Sequence, residues 1–468
     1  MGPEGASSDV DVIVIGGGNA AMCAALTARR LGRGVVVLER ALEGSRGGNT
    51  RHTRNIRHAH EGSDAIMMGS YSDEEFWQDL RRVSGDAVNE ELARLTIRES
   101  RFCPSFMEAN GIRWQAPLRG TLHLSRTNRF FLGGGKALIN DYYATALGLG
   151  VDIRYGSPVV RLEVQESHCV GVVIERDGNE ETLRPKAIVV AAGGFEANID
   201  WLSEYWGEAA RNFIVRGTAL NDGRLLRILL DLGSRSVGDP KGAHAIAVDA
   251  RSPKFDGGIV TRIDSIPLGI VVNRDGLRFA DEGEDLWPRR YASWGRLIAE
   301  QPEQIAYSIF DAQVNGSFIP GVYPPLRAQG VSELAELIGV DPSVLDRTVM
   351  EFNAGIPEGR RIDAADLDGC ATTGVQPPKS NWAQRLRKPP FFAYPLRPGV
   401  TFTYLGVAVD SETRVLLDRG GRFANVFAAG EIMAGNVLTR GYIAGIGLTI
   451  GTVFGRIAGA EAARIAAA

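Results

Sequence analysis

The fold is decided by Asp9-Val-Asp-Val-Ile-Val-Ile15, Gly16-Gly-Gly-Asn-Ala-Ala21 and Gly34-Val-Val-Val-Leu-Glu39. The β-branched run that ends at Ile15 is typical of a strand buried on both faces. A helix from Asn19 to Leu31 is expected to connect the glycines to a second buried strand. Together the three pieces predict a βαβ unit with parallel strands.

The glycine turn of this unit predicts a dinucleotide site. Gly16 allows the tight turn, Gly18 lets a phosphate approach the backbone, and Ala21 keeps helix and strand close. The helix that begins at Asn19 directs its N–H groups and its positive dipole end toward that phosphate. Glu39 stands 21 residues after Gly18, near the spacing of a carboxylate that accepts hydrogen bonds from a ribose. The alternative is an ordinary βαβ unit without a ligand.

The composition excludes several classes of function. The chain has 468 residues, 44% hydrophobic and 23% charged, enough for two or more domains. Its net charge of −4 shows no bulk basicity that would indicate nucleic acid. No apolar run reaches the length of a membrane span, and residues 1–8 lack the features of a signal peptide, so we expect a cytoplasmic protein. Four scattered cysteines form no CxxC pair and predict reduced thiols rather than an iron–sulfur or zinc site: Cys23, Cys103, Cys169 and Cys370.

Changes in sequence texture predict an inserted domain. Residues 151–184 alternate as a β-meander that leads into a second buried strand at 187–194. From Asp239 onward, aromatics, prolines and polar loops become more frequent. We therefore predict a nucleotide-binding domain in two parts, 8–238 and 395–468, with a second domain at 239–394. The fold class is α/β: a Rossmann-like domain with a β-meander, interrupted by an inserted α+β domain.

Two further segments carry chemistry. Residues 51–60 contain six Arg or His residues and no acid, which indicates either a solvated or phosphate-binding basic face or a site for an anionic substrate beside the cofactor. Asn425–Glu431 predicts a buried strand that enters a Gly-Glu turn. The Gly-rich segment Arg440–Gly451 then opens a terminal helix, whose N-terminus would face an anionic or electron-rich group.

Four motifs in a fixed order resemble those of a known superfamily. They are Gly16-Gly-Gly with Glu39, Gly47-Gly-Asn-Thr50, Ala191-Ala-Gly-Gly-Phe195 and Ala428-Ala-Gly-Glu431. This order resembles the FAD-dependent flavoproteins of the fumarate reductase and succinate dehydrogenase superfamily over nearly the whole chain. Gly47-Gly-Asn-Thr-Arg-His-Thr-Arg-Asn55, Gly120-Thr-Leu-His-Leu-Ser-Arg126 and Thr401-Phe-Thr-Tyr-Leu-Gly406 look most like tricarballylate dehydrogenases, which oxidise tricarballylate to cis-aconitate.

The resemblance implies an FAD-binding domain interrupted by a capping domain, with substrate between them over the flavin. It implies that the glycine turn holds the pyrophosphate, Glu39 the adenosine ribose and Glu431 the ribityl chain. Asn49 would lie near the flavin ring, and Leu448 would lie at its pyrimidine side. The residues expected to contact FAD are Gly16, Gly18, Asn19, Ala20, Ala21, Glu39, Arg40, Gly48, Asn49, Thr50, Val159, Val160, Ala192, Gly193, Gly194, Glu431, Leu448 and Thr449.

The chain departs from the superfamily at three positions. The membrane enzymes attach FAD to a His where this chain has Asn49, so we expect non-covalent FAD, although His52 is close. Fumarate reductases have His-Thr-Met-Gly-Gly where this chain has Phe402-Thr-Tyr-Leu-Gly406, so that substrate-binding His is missing. Asn315 stands where their proton-donating Arg is expected. The chain is therefore not expected to be a plain fumarate reductase.

Desaturation beside a carboxylate needs a base for the α-proton, a flavin N5 that accepts hydride from the β-carbon, and cations that hold the carboxylates. Arg suits the last role because its planar fork binds a carboxylate in two places. As base we rank Tyr404 first and Arg290 second. The candidate cations are Arg51, His52, Arg54, His123, Arg126, Arg289, Arg290 and Arg440. Each taken alone is as well explained by a surface ion pair, and Tyr404 by packing.

Three functions remain open from the sequence. The first is an FAD-dependent dehydrogenase of a small polycarboxylate such as tricarballylate. The second is a flavin enzyme with another substrate, either fumarate-reductase-like or, because Arg440-Gly-Tyr442 is similar to that region of Δ1-dehydrogenases of cyclic ketones, a desaturase with a Tyr base. The third is a non-catalytic flavin redox or electron-transfer protein. A dehydrogenase would pass its electrons to a separate acceptor protein or a quinone.

Overall fold

The computed structural model describes residues 9–85, 87–117, 124–176, 178–359, 361–364 and 366–468. It has the α/β class that the sequence predicts. The strands are β1 (Asp9–Ile15), β2 (Val35–Leu38), β3 (Asn55–Arg57), β4 (Asn128–Phe130), β5 (Asp152–Arg154), β6 (Val159–Gln165), β7 (His168–Arg176), β8 (Asn179–Val190), β9 (Ile214–Val215), β10 (Ser236–Val237), β11 (Ala243–Asp249), β12 (Ile270–Asn273), β13 (Ala306–Asp311), β14 (Leu326–Ala328), β15 (Phe391–Thr403), β16 (Gly406–Val407), β17 (Arg414–Leu416) and β18 (Arg422–Ala428). The helices are α1 (Asn19–Arg30), α2 (Asp73–Ser84), α3 (Glu90–Ser100), α4 (Cys103–Glu108), α5 (Gly134–Gly148), α6 (Ile199–Trp206), α7 (Arg224–Asp231), α8 (Trp287–Arg290), α9 (Trp294–Ala299), α10 (Val331–Ile338), α11 (Pro342–Ala354) and α12 (Ile446–Ala467).

The first sheet carries the dinucleotide motif at its centre. Its order is β17-β18-β8-β1-β2-β5, with β1 parallel to both neighbours, and the meander β6–β7 joins through β8. The apolar residues of β1 are fully or almost fully buried, as expected for a strand covered on both faces. The carboxyl ends of β1, β2, β8 and β18 therefore meet at one edge, where ligands bind in such sheets.

Helices α1 and α12 pack against each other through small residues. An added Cβ would lie 2.5 Å from the Ala20 carbonyl oxygen at Gly455 and 2.3 Å from the Ala24 carbonyl oxygen at Gly459. The absence of side chains at these glycines lets the two backbones approach closely. This packing sets the N-terminus of α12 beside that of α1.

The second sheet is built around one long strand. Strand β15 lies between β11 and β13, β12 follows β13, and β9 and β14 also pair with β15. A separate apolar cluster lies between this sheet and the helices α10 and α11. The predicted boundary at residue 394 falls inside β15, and β9 precedes the predicted boundary at 239. The division into domains therefore stays a prediction.

Local differences from the sequence interpretation are small. The apolar periodicity of residues 73–111 predicts two helices. The structure has three there, because Pro104 in the first turn of α4 starts a new helix. The alternation of residues 121–129 predicts a strand or hairpin arm. Their described part forms a 3₁₀ turn at Leu124–Arg126 followed by β4. Thr121 and His123 lie outside the described residues. Throughout the described ranges, each helix is too short or too polar to cross a bilayer.

Candidate active site

A long cleft opens at the carboxyl edge of the first sheet and continues to the second sheet. Its empty volume is about 1640 Å³, including the open mouth. One end is lined by Glu39 and Val159, the middle by the glycine turn, and the far end by Gly445 and Leu448 at the start of α12. The cleft thus joins Glu39 and the glycine turn to the start of α12.

The glycine turn leaves room for a phosphate only because side chains are absent. Gly16 has a φ of +112°, and an added Cβ would lie 2.3 Å from the Ala191 carbonyl oxygen. A Cβ at Gly17 would lie 2.1 Å from Glu39 Oε2. The Asn19 N–H donates to Thr50 Oγ1 over 2.9 Å, which leaves the next N–H groups of α1 to face an anion. These donors and the carboxylate of Glu39, which is placed as a ribose acceptor would be, fit FAD.

Backbone hydrogen bonds hold the Glu39 carboxylate in place. Its Oε1 accepts from the Ala41 N–H over 2.8 Å, and its Oε2 accepts from the Gly47 N–H over 3.3 Å. Burial raises the pKa of the Glu39 carboxyl above its usual value, while these backbone bonds oppose the shift. Arg40 beside it pairs with Asp222 at 2.8 Å across the mouth of the cleft.

Most residues expected to contact FAD line this cleft. Those that line it are Gly16, Gly18, Asn19, Ala20, Glu39, Arg40, Gly48, Asn49, Thr50, Val159, Ala192, Gly193, Glu431 and Leu448. Four expected contacts lie outside the lining. Ala21 and Thr449 are fully buried behind it, Gly194 packs on Glu431, and Val160 lines a neighbouring hollow beside Trp201.

Asn49 joins the cofactor loop to the substrate side of the cleft. Its Nδ2 donates to the Thr401 carbonyl oxygen over 2.8 Å and to Glu196 Oε1, and its Oδ1 accepts from the Thr218 N–H over 2.9 Å. Both amide protons of Asn49 are therefore used within the protein. The residue predicted to lie near the flavin acts here as a crosslink.

Cations and aromatic rings line the far end of the cleft. They are Arg54, Arg216, His244, Arg262, Tyr291 and Tyr442. Arg262 is paired with Asp264 at 2.8 Å. Arg54 and Arg216 have buried guanidinium nitrogens without a hydrogen-bond partner, and neither forms an ion pair with any carboxylate of the described residues. Burial lowers the pKa of both groups to about 10, so they stay charged at neutral pH.

Strand pairing brings Arg216 and His244 together. Because β9 runs parallel to β15 with Val215 opposite Val400, Arg216, the residue after β9, lies beside Thr401 of β15. His244 lies at a register shift in β11, opposite β15, where a bulge re-aims a side chain. Thr401 Oγ1 accepts from Arg216 and lies 3.4 Å from His244 Nδ1.

His244 is an uncharged base or acceptor. Its ring stacks on Tyr442 with centroids 3.8 Å apart, and its Nε2 is buried without a partner in the part of the chain that the structure describes. Burial, reinforced by Arg216 and Arg262, lowers the pKa of His244 well below its usual value. The imidazole is therefore neutral at physiological pH.

Of the residues that the sequence proposes as base or as carboxylate-binding cations, His52 lines the cleft. His52 Nε2 lies 2.7 Å from Asp256 Oδ1, and burial lowers the pKa of His52 despite this partner. Arg126 pairs with Glu75 at the surface, Arg290 pairs with Glu284 at 2.5 Å, and Arg440 is solvent-exposed. These three cations therefore lie outside the cleft lining. Two of them, Arg126 and Arg290, are held there by ion pairs with nearby acids.

Tyr404 also lies away from the cleft. It is fully buried, and its hydroxyl donates to the Gly441 carbonyl oxygen over 2.9 Å. Burial raises the pKa of Tyr404 well above its usual value, the reverse of what a base needs. Of the other candidate cations, Arg54 lines the cleft, Arg51 bonds Ser45, Arg289 pairs with Asp285 and Asp79, and His123 lies outside the described residues.

Sequence reasoning missed Arg216, His244 and Arg262. Arg216 follows a strand of only two residues, and His244 depends on a bulge, neither of which leaves a periodic signal. The triplet Arg262-Ile-Asp264 could have indicated Arg262 from the sequence, because Asp264 forms an ion pair with it. His244 of β11 lies beside Thr401, the residue before the Phe402-Thr-Tyr motif, which has no histidine of its own.

Comparison with known proteins identifies the family. Residues 11–448 match the FAD binding domain family. A probable fumarate reductase of Shewanella frigidimarina is 26% identical, over 98% of this chain and 76% of that protein. The 4-oxocyclohex-2-ene-1-carboxylate 5-dehydrogenase of Sinomonas cyclohexanicum is 30% identical, over 71% of this chain and 60% of that protein. The open conformation of a flavocytochrome c3 fumarate reductase shares the fold, with a TM-score of 0.77, 22% identity and coverage of 99% and 79%.

The family match and the cleft agree on the cofactor. The match spans both the glycine turn and the start of α12, which together line the cleft. The donors and acceptors along the cleft suit FAD, and the relatives are oxidoreductases. The chain therefore belongs to the FAD binding domain family and is an FAD-dependent oxidoreductase.

Proposed function

We propose that the protein is a cytoplasmic dehydrogenase that desaturates a small polycarboxylate, as in the oxidation of tricarballylate to cis-aconitate. The observation that carries the proposal is the pair of buried guanidinium groups of Arg54 and Arg216, which lack a carboxylate partner among the described residues. A buried charge without a partner is costly. A substrate that brings carboxylates into the cleft would supply the missing partners.

The arrangement of cations supports a substrate with more than one carboxylate. Arg54 and Arg216 each offer planar donors that suit bidentate binding of a carboxylate. Arg262 is already neutralised by Asp264 and can hold a neutral oxygen by hydrogen bonding. Two free cations beside a neutral donor favour a di- or tricarboxylate over an apolar ketone.

His244 is our candidate for the base. When its Nδ1–H donates to Thr401 Oγ1, its Nε2 carries the lone pair and has no hydrogen-bond partner among the described residues. Carboxylates bound at Arg216 would weaken the repulsion that lowers the pKa of His244, so substrate binding would make Nε2 a stronger base. FAD, when bound, supplies the acceptor for the hydride. A separate acceptor protein or a quinone would reoxidise it.

The proposal is tested by anaerobic reduction of the purified yellow protein. Tricarballylate should bleach the visible flavin band of the wild type, and His244→Gln should slow the bleaching while substrate still binds. Arg126→Ala, at the surface, is the matched control for Arg54→Ala. If di- and tricarboxylates all leave the flavin oxidised, a polycarboxylate substrate is ruled out.

A second candidate is a cyclic ketone that carries a carboxylate. Tyr442 and Tyr291 both line the cleft beside the cations, and the relative from Sinomonas cyclohexanicum is named for an oxocyclohexene carboxylate. Here Tyr442, whose hydroxyl accepts from the Gly447 N–H over 3.0 Å, would replace His244 as the base. Bleaching by such a ketone acid, abolished in Tyr442→Phe and absent with tricarballylate, would favour this candidate.

A further inference from the structure

Two carboxyl groups meet in the wall of the cofactor cleft. Glu196 follows β8 and Glu431 follows β18, and because these strands pair in parallel, the residues after them lie together. Glu196 is 0% exposed and Glu431 is 8% exposed. Glu431 lines the cleft, whereas Glu196 lies behind it. Because both carboxyl groups are buried, the number of negative charges on the pair has to be explained.

Glu431 is fixed by the backbone of β15. Its Oε1 accepts from the Thr403 N–H over 2.8 Å and lies 3.4 Å from Thr403 Oγ1. The carboxyl fits there because Gly194 has no side chain; an added Cβ would lie 2.3 Å from Glu431 Oε1. The backbone of β15 and the glycine after β8 therefore fix the position of the Glu431 carboxyl.

Glu196 is satisfied on one oxygen only. Its Oε1 accepts from the side-chain amides of Asn49 and Asn221, the latter over 2.9 Å. Its Oε2 is fully buried and receives no hydrogen bond from the groups that the structure describes, if both acids are ionised. A buried carboxylate oxygen without a donor is rare in native proteins. The missing donor has to come from the neighbouring acid.

Two adjacent buried carboxyls cannot both ionise cheaply. Burial raises the pKa of both groups above the usual range for Glu. A side-chain hydrogen bond between the two then lowers the pKa of Glu196 and raises that of Glu431. The hydrogen-bond partners of the pair among the described residues, Thr403, Asn49 and Asn221, are neutral. Glu196 Oε1 accepts two amide hydrogen bonds, which favour its ionised form, so Glu431 is the protonated member.

We infer that Glu196 and Glu431 share a single proton, which Glu431 carries and donates to Glu196 Oε2. The cofactor cleft therefore faces a neutral carboxyl at Glu431, and the negative charge rests on Glu196, behind the wall. The arrangement gives Glu196 Oε2 its donor. It concerns the cofactor end of the cleft and does not depend on which substrate the enzyme uses.

The shared proton has a consequence for cofactor binding. FAD carries a negatively charged diphosphate, so an ionised Glu431 in the same cleft would repel it. A neutral Glu431 can accept a hydrogen bond from a hydroxyl group without this cost. Glu196 is then a positioning residue: its charge holds the amide of Asn49, which in turn bonds Thr401 and Thr218.

Two isosteric variants locate the proton. In Glu431→Gln, the amide N–H replaces the carboxyl O–H toward Glu196, so affinity for FAD should stay within about threefold of the wild type. In Glu196→Gln, the new amide donates to Glu431, which ionises, so FAD should bind at least about tenfold more weakly, equivalent to about 1.4 kcal/mol. The affinity of Glu196→Gln should recover as the pH falls and Glu431 is protonated. The reverse order of the two variants would place the proton on Glu196 and overturn the assignment.

Infrared spectroscopy of the FAD-bound protein tests the number of protons directly. The wild type should show the carbonyl stretch of one buried carboxylic acid, and this band should vanish in both single variants, because the remaining acid then ionises. Glu39→Gln is the control that identifies any band from the other buried acid of the cleft. If the wild type lacks the band, both acids are ionised, and if the band survives in either variant, the remaining acid holds a proton without its partner; each result overturns the shared proton.

Discussion

At the scale of single residues, Arg216 places function and stability in opposition. Its guanidinium is buried, held by Thr401 Oγ1 and without an ion pair to any acid in the described ranges. A buried unpaired charge lowers the free energy of unfolding. The same group is what an anionic substrate would bind.

We expect Arg216→Gln to raise KM for the carboxylate substrate about 100-fold, corresponding to about 3 kcal/mol, because a buried charge pair is lost from the complex. The Tm of the substrate-free variant should be unchanged or higher. Steady-state kinetics and thermal unfolding measure the two effects. Arg126→Gln, which removes a surface ion pair with Glu75, should change KM little. A large fall in Tm for Arg216→Gln, with KM unchanged, would contradict the role.

The buried ring of His58 makes the free energy of unfolding depend on pH. Its Nε2 accepts from Arg129 Nε over 3.1 Å and its Nδ1 lies 3.2 Å from the Ala59 carbonyl oxygen, so the ring is held neutral. Burial lowers the pKa of His58 to about 3. The unfolded chain binds the proton near pH 6.5. The contribution of His58 is therefore complete above about pH 6.5 and is lost as the pH falls toward 3.

Urea unfolding should show this loss. Between about pH 7.5 and about pH 5, His58 should reduce the free energy of unfolding by about 2 kcal/mol. In His58→Gln the decrease should be smaller by about that amount, since the amide does not titrate. His168→Gln changes an exposed imidazole and serves as the control. An equal decrease in all three proteins would show that His58 does not carry the effect.

At the scale of elements, the contact between α1 and α12 depends on absent side chains. We expect Gly459→Ala to lower the free energy of unfolding by about 1–3 kcal/mol, because the new methyl group meets the Ala24 carbonyl oxygen and overpacks the interface. Gly148→Ala, at the end of α5, meets nothing within 4 Å and should be neutral or stabilising by up to about 1 kcal/mol. Denaturant titration of both variants measures the difference. Equal stability would mean that the helices separate at no cost.

At the scale of the whole molecule, FAD should join the two ends of the chain. The cleft takes Gly16 and Glu39 from the start of the chain and Leu448 from its end. Because FAD binds the folded state alone, a concentration of 100 times its dissociation constant should add about 2.7 kcal/mol to the free energy of unfolding. ADP at the same concentration contacts the adenine half only and should raise the Tm less. The idea fails if FAD leaves the Tm of the apoprotein unchanged.

How much of the cleft lining could be predicted from the sequence differs between the glycine-rich segments and the cations. Local spacing predicts the glycine turn and Glu39, the resemblance to flavoproteins implies Val159 as a contact of FAD, and all of these residues line the cleft. The positions of the cations could not be predicted in this way. Arg126 is paired with Glu75, which is 51 residues away in sequence, and no local pattern shows that this neighbour removes Arg126 from the site. Tyr404 was ranked first as base from its place in a motif, yet its ring packs behind the cleft.

The sequence by itself determined the class of fold and the presence of a dinucleotide site, because a phosphate-binding turn is made by consecutive residues whose backbone has to be glycine-rich. The order of four motifs along the chain, by its resemblance to flavoproteins, indicated FAD. Only the tertiary structure decided which charges face the substrate. Arg216, His244 and Arg262 reach one end of the cleft through a two-residue strand, a bulge and a turn. Whether a buried cation is already neutralised depends on acids from elsewhere in the chain, and that is settled by packing in space rather than by order in sequence.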